Sequence, residues 1–435
     1  MTKTIRAGIG LALATAMLLT ACSGGDQPTT APDSSAASEP VEITFHSWLP
    51  TQDQWTELYA AFQKENPNIT INFTREEDYE TYKTNLDNEI LAGDVPDIYG
   101  IQVGSSFDDY SQYALDTSQY ASAWIGNLNA EAVNQTTDTK GATKAVPILN
   151  AGMQYYLYNK TLLDELKLSL PTTYEEVVAV SKAARKAGYS PFAMGAADTW
   201  HDADFFVWMS NQFGSGGDIY KAASGELAWD SENLVAAATT WQKMFKDGVF
   251  QDAATTVNTY PQARDDYFLA RKALFFPTGS WHVNATLKIS TEVPGSAVEN
   301  DEIGMAYFPT LGIQDAGATV GVDFALAVSD SSSPEEQAAA AKFVEFMATG
   351  TGQQLWVNTL QGFPVANGVE VQLGSDESQL GKDSVALVTE TLMAGKYARK
   401  LVAPGRDSLE NDLGVVLQNI ADGADPKKEL ATLNQ

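Results

Sequence analysis

Val41-Glu42-Ile43-Thr44-Phe45-His46-Ser47-Trp48 is the stretch on which the fold turns. Val41, Ile43 and Phe45 alternate with polar residues, the period-two pattern of a half-buried strand. After a loop, a helical pattern runs from about Trp55 to Glu65 and is broken by Asn66-Pro67-Asn68. Ile69 to Thr74, ITINFT, supplies a second β-branched strand, and a second helix from about Tyr79 to Ala92 leads to the turn-rich GDVPDIY, Gly93 to Tyr99. Strand and helix in alternation imply an α/β fold built on a mostly parallel sheet.

The alternation continues downstream. Ala145 to Leu149 leads into QYYLYNK, then a short helix, then PTTYEEVVAVSKAARKAG, where Thr172 or Thr173 caps a helix carrying Glu175 and Glu176 in its first turn. Apolar residues recur at helical spacing from Phe205 to Phe213 and from Glu232 to Phe245, with Gly214-Ser215-Gly216-Gly217 as loop between them. Strand-like KALFFPTG, IGMAYFPTL and VGVDFALAVS follow, then a helix from Pro334 to Met347 and a helical C-terminal part from about Thr351. No repeat of 20 to 50 residues is visible, which argues against solenoids and propellers.

Upstream of Val41 the chain has a different character. Lys3 and Arg6 precede an apolar stretch from Ala7 to Leu19 and a small-residue site before Cys22, the layout of a secretory signal, expected over residues 1–21. Leu19-Thr20-Ala21-Cys22 also resembles the bacterial lipobox, in which the cysteine thiol is acylated after cleavage. Cys22 is the only cysteine, so no disulfide and no cysteine-based metal site is expected. More than one acyl chain would anchor the protein stably, since a single chain binds a membrane only marginally. Ser23 to Pro40, rich in Ser, Thr, Ala, Pro and Gly, cannot bury enough surface to fold, so 22–40 is expected to be a lipidated tether. Coil statistics give such a segment a span of about 25 Å.

The formal charge is −29, from 27 Lys and Arg against 56 Asp and Glu, with no basic stripe, which excludes nucleic acid as a partner. With 44% hydrophobic residues, the rest of the 435-residue chain can fill two lobes of ordinary domain size.

Seven segments, in this order, carry a resemblance over most of the chain: ITFHSW, FQKENPNITINF, LAGDVPDIY, VPI with YYLYNKTLLDE and LPTTYEEV, ALFFPTGSW, VGVDFALAVS and KFVEFMATGTGQQLW. They resemble the extracellular solute-binding proteins of carbohydrate ABC importers, the family of maltose-binding protein. The resemblance implies a two-lobed, type II periplasmic-binding-protein-like α/β fold with a hinge and an interlobe cleft. Residues 41–147 with 310–347 would form the N-terminal lobe and 148–309 with 348–435 the C-terminal lobe. Crossings between them are expected near Ala145 to Asn150, Met305 to Thr310 and Met347 to Gly352. It further implies a non-enzymatic monomer without cofactor or metal, tethered by lipid to the extracytoplasmic face of the cell membrane. Such a protein would close on a neutral oligosaccharide and present it to the importer's permease subunits.

A sugar offers C–H groups on its ring faces and hydroxyls on its rim, so aromatics with polar neighbours are the residues to look for. All three histidines sit beside a tryptophan: His46 with Trp48, Trp200 with His201, Trp281 with His282. Trp281, closing ALFFPTGSW, matches the place where relatives stack a pyranose ring; a core tryptophan is the plain alternative. His46 and Trp48 leave the first strand toward its loop, and Trp200 and His201 occupy a loop before a helix. His282 would point away from Trp281 if the strand continued, and is set aside. Asp323 interrupts an apolar run, as a hydroxyl acceptor or as the partner of a backbone amide. Gln102, Asn150, Phe363 and Arg406 complete the ligand-binding candidates by region, Arg406 being equally suited to a helix-start ion pair. Asp97 is expected to brace a turn. Glu76-Glu77, Asp108-Asp109 and Asp265-Asp266 read as solvated charge.

Two rivals share these features. A secreted glycosidase needs only a pair of carboxylates around the scissile bond, although no G-x-S-x-G, H-E-x-x-H or P-loop motif is present. A binding protein of the same fold for a charged ligand would need a matching counter-charge in its cleft.

Overall fold

A computed structural model describes residues 39–434, except residues 105, 106 and 404 and the side chain of residue 154. The signal segment, Cys22 and all but the last two residues of the tether lie outside the described residues.

The opening alternation forms as expected. In β1 (Val41–Ser47), Ile43 and Phe45 are buried while Glu42 and Thr44 face solvent. A helix, Gln52–Glu65, starts on a capping box between Thr51 and Gln54 and leads to β2 (Ile69–Arg75). The next helix, Tyr79–Ala92, is capped by Asp78, which accepts from the Thr81 N–H at 2.8 Å, and ends on Gly93 at φ 73°, a left-handed conformation that glycine adopts without strain. It delivers the chain to β3 (Ile98–Ile101), and β1 pairs in parallel with both β2 and β3. Asp97 accepts from the Thr44 N–H at 2.8 Å and from the Ser332 hydroxyl at 2.5 Å, bracing the start of β3.

Beyond this point the sheet is mixed, where mostly parallel pairing was expected. The long strand β4 (Val146–Asn159) and the later β5 (Ser190–Phe192), β6 (Ala273–Gly279), β7 (Ile303–Tyr307) and β8 (Thr319–Val328) complete a path ordered β2-β1-β3-β8-β4-β6-β5. β7 and the two-residue strands β9 (Phe363–Pro364) and β10 (Tyr397–Ala398) pair off this path. β8 is antiparallel to β3 and β4, and β4 is antiparallel to β6 and β7. β4 is the long member of this sheet: its 14 residues reach about 45 Å at the usual rise, more than one core can cover.

Two apolar regions fill the chain on either side of the β4–β8 ladder. The first holds Ile43, Phe45, Phe62, Val146, Leu149, Phe324, Phe343 and Trp356. The second holds Ala151, Met153, Phe192, Trp208, Trp241, Phe275 and Leu413, backed by a satellite cluster with Tyr155, Met305 and Phe363. The chain passes from the first to the second at Leu149–Ala151 of β4.

Candidate functional site

The C-terminal ends of β1, β2 and β3 open toward the second lobe, and a cavity lies there. This is where an open α/β sheet receives ligands, beyond the carboxyl ends of its strands. The first lobe contributes Trp48 after β1, Arg75 to Tyr79 after β2 and Gln102 after β3. The second contributes Trp200, Tyr260, Trp281 and neighbouring polar groups, and Asp323 enters from β8.

Aromatic rings make up both walls. On the first lobe, Trp48 packs edge-on against Tyr79 at 4.8 Å and Phe324 at 4.9 Å between centroids. On the second, Trp200 stacks with Tyr260 at 6.1 Å and tilts against Trp281 at 6.3 Å, while the Trp281 indole N–H donates to the Tyr260 hydroxyl at 2.9 Å. Trp281 is only 7% exposed, because Gly279 lies flat on its six-membered ring: a Cβ there would stand 1.9 Å from the ring.

The arginines of the cavity are engaged by neighbouring groups, Arg264 and Arg399 by carboxylates and Arg75 by a carbonyl. Arg264 lies 5.2 Å from the Tyr260 centroid and donates to Asp265 at 2.5 Å and to Glu292 at 3.1 Å. It also reaches Glu77 of the first lobe at 3.5 Å, an ion pair across the cleft. Arg75 gives its Nε–H to the Trp48 carbonyl at 3.1 Å; burial, then the nearby Arg264, lowers its pKa against the pull of Glu77. Arg399 pairs with Asp323 and Asp204. His282 shares a 2.6 Å hydrogen bond with the Thr278 hydroxyl, and burial pushes its pKa well below the ordinary value, so it is a neutral donor or acceptor. Among the described residues, no group of three or more His, Cys, Asp or Glu is placed to hold a metal ion.

Five of the expected residues, Trp48, Gln102, Trp200, Trp281 and Asp323, meet in this lining. The other five stand elsewhere. His46 lies two residues earlier on β1, covered by Tyr82 and bonded through Nδ1 to Glu89 at 2.8 Å. His201 shares the Thr199–Ser210 helix with Trp200, where loop was expected; about 100° further round it points inward to Thr259 at 3.2 Å, and burial lowers its pKa to about 4. Asn150 of β4 pairs with Phe363 of β9, which packs in the satellite cluster with Tyr155 and Met305. Arg406 sits in the loop before the helix Leu409–Ala421, its N–H bonded to the Ala403 carbonyl at 2.9 Å.

Asp323 takes neither of its two expected roles alone, since it lines the cavity while ion-paired to Arg399. His282 was set aside on the premise that β6 continues. The chain instead turns at Ser280 into a 3-10 helix to Thr286, and both Trp281 and His282 reach the cavity. Tyr79, Tyr260, Arg264, Glu292 and Arg399 were not foreseen. The TYP sequence at 259–261 and the YARK sequence at 397–400 carry no pattern that would have marked them.

The doublets are not all solvated charge. Glu77 and Asp265 both engage Arg264. Asp109 and Asp407 line a second crevice with Asp108, Asp138, Lys140 and Lys144. Burial, then the charge and hydrogen bond of Asp407 and the charges of Asp87 and Asp108, push the Asp109 carboxyl up to about 6. Its folded pKa exceeds the unfolded value, so the folded state binds the proton more tightly and stability falls as pH rises through that range. In urea unfolding, the stability of wild type relative to Asp109→Asn should therefore be greater at pH 5 than at pH 7.5. An unchanged slope in the variant would assign the pH dependence to other groups.

The model of the family described as bacterial extracellular solute-binding protein matches residues 57–381. The chain is 26% identical to the multiple sugar-binding protein of Streptococcus mutans over 380 residues, covering 82% of this chain and 81% of that one. Among solved structures, maltose-bound MalE3 of T. maritima superposes with a TM-score of 0.72 at 21% identity, covering 90% of this chain and 98% of the other. The substrate-binding protein Lmo0181 of Listeria monocytogenes, in complex with cycloalternan, gives 0.73 at 18% identity, with coverage of 91% and 97%. At such identities the likeness is one of fold, the two-lobed type II periplasmic-binding-protein-like architecture expected from the sequence. A cleft between two α/β lobes, closed over by aromatic walls, and a family match reaching across both lobes lead to one conclusion: this chain belongs to the bacterial extracellular solute-binding proteins.

Proposed function

We propose that the protein binds a neutral oligosaccharide between its lobes and delivers it to the permease subunits of an ABC importer, without catalysing a reaction. The observation that carries this is the pairing of two aromatic walls with arginines already matched by carboxylates or a carbonyl. Flat rings offer faces to C–H groups, Gln102, Gln361 and the tyrosines offer rim contacts, and little net charge is left to hold an ionic ligand. Relatives are in keeping with this: their names include a multiple sugar-binding protein, and similar structures hold maltose, raffinose and stachyose.

Ligand gripped by both lobes favours the closed arrangement by its differential affinity. The ion pair of Glu77 with Arg264 joins the two lobes across the cleft. The lobes are 41–147 with 310–347 and 148–309 with 348–435; the packing of Trp356, Val357 and Val365 in the first core favours carrying the first lobe on to about residue 365. An acylated Cys22 and the tether after it hold a monomer on the extracytoplasmic face of the membrane. Among the described residues no helix is long and apolar enough to cross a membrane.

Titrating the purified protein with maltose, raffinose and stachyose, while following tryptophan fluorescence and the integrity of the sugar, tests the proposal. A saturable change with intact sugar is expected from at least one of them. Released monosaccharide would establish the glycosidase instead, and indifference to every neutral saccharide would overturn the ligand class.

A further inference from the structure

Arg399 follows β10, and its backbone N–H donates to the Val320 carbonyl of β8 at 3.1 Å. Its side chain is 2% exposed. Nε and Nη2 donate to one carboxylate oxygen of Asp204, at 2.9 and 2.6 Å, and Nη1 donates to Asp323 of β8. The guanidinium carbon stands 4.6 Å from the ring centroid of Trp281. Asp204 belongs to the helix Thr199–Ser210 that also carries Trp200, and its second oxygen receives Lys400 at 2.9 Å. One flat cation thus joins a helix of the second lobe, strand β8 and a tryptophan of the ligand site.

Stability alone does not account for this arrangement. The cost of taking such ions out of water cancels most of their attraction, and apolar groups of equal volume would hold the fold as well. Geometry accounts for it better. A fork bound on two sides by carboxylates cannot swing, and a guanidinium face attracts the indole face beneath it, so the orientation of one fixes the orientation of the other. A guanidinium has five N–H donors and the three bonds above use three, so two remain on a side chain that lines the cavity.

We propose that Arg399 is the positioning residue of the ligand seat: it fixes the orientation of the Trp281 indole in the cavity wall and, through Asp323, ties that seat to β8 of the first lobe. This rests on the oligosaccharide reading above. Lysine at 399 keeps the charge and loses both the fork and the flat face. Alanine at 323 removes the accepting oxygen and with it the tie to β8, while the bonds of Arg399 to Asp204 stay.

The test separates the seat from the ligand. With nine tryptophans in the chain, the emission of Trp281 is isolated by subtracting the spectrum of a Trp281→Phe protein, in the wild-type and in the Arg399→Lys background, without sugar. In Arg399→Lys, the Trp281 component should shift to the red and be quenched by acrylamide at least twofold more. Unchanged emission and quenching in a folded variant would overturn the proposal. If Arg399→Lys fails to fold, Asp323→Ala takes its place: the same red shift and added quenching are expected, and their absence overturns the proposal in the same way.

Affinity for raffinose and maltose then supplies a double-mutant cycle. Arg399→Lys should weaken binding tenfold or more when Trp281 is present and less than threefold when residue 281 is Phe. Equal losses in both backgrounds would show that Arg399 acts independently of Trp281 and would also overturn the proposal. If the wild-type protein binds neither sugar, the ligand reading is what fails, and the emission experiment still decides the role of Arg399.

Discussion

Asp204→Ala should cost about 3–5 kcal/mol of unfolding free energy, the range found when one partner is removed from a buried ion pair. Asp204 is 1% exposed and receives two N–H groups of Arg399 and the ammonium of Lys400. Removing it leaves two buried cations that share Asp323 and Glu410 as their remaining ion-pair partners among the described residues. Burial opposes the ionised form of Asp204, but Arg399 and Lys400 outweigh it and hold its carboxyl below the usual range. Because the folded pKa is lowered, its stabilisation is present at neutral pH and lost as acid protonates the folded carboxylate. Against a total of about 5–15 kcal/mol for an ordinary domain, the loss would be plain in a urea titration. A loss below about 1 kcal/mol, the value of an exposed pair, would mean that this cluster is hydrated in solution.

Trp281→Ala should lower affinity and stability together. The side chain packs in the second core, so truncation should cost about 3–5 kcal/mol, as for other buried aromatics. It also lines the cavity, and a central aromatic anchor of this kind is worth about 2 kcal/mol of binding, roughly 30-fold in Kd. Calorimetric titration with the sugar that wild type binds, beside a thermal melt, reads both. Weakened stability with unaltered affinity would make Trp281 a core residue only. The alternatives of stacking platform and core tryptophan merge here, because Gly279 beneath the ring and the cavity beside it use different parts of one indole.

Much of the architecture was legible because it is local. The alternation in Val41–Ser47, the break at Asn66-Pro67-Asn68 and the cap at Thr173 each act within a few residues, and the structure places strand, helix end and helix start accordingly. The mixed sheet was not legible. No periodicity distinguishes a parallel neighbour from an antiparallel one when both faces of a strand are buried, as in Ile98–Ile101. For the same reason Asp323 could be marked as anomalous in an apolar run, yet its partner lies 76 residues away, in a segment with no such anomaly.

The expected tryptophans Trp48, Trp200 and Trp281 line the cavity, and the expected histidines His46 and His201 do not. A large ring beyond a strand end, such as Trp48, reaches the cavity from any plausible loop, whereas His46 and His201 each have a closer partner on their own lobe, Glu89 and Thr259. Trp281 and His282 point the same general way only because the backbone turns helical at Ser280.

By itself the amino-acid order determined where chain segments become strands and helices, which side of each is apolar, and that aromatics stand at strand ends, since these follow from the period of the backbone and from caps a few residues away. Only the tertiary structure decided which side chains face one another across the cleft. The bonds of Arg399 to Asp204 and Asp323 and of Arg264 to Glu77 link residues far apart in the chain, and their strength depends on shared burial, a property of the folded whole that no short stretch of sequence contains.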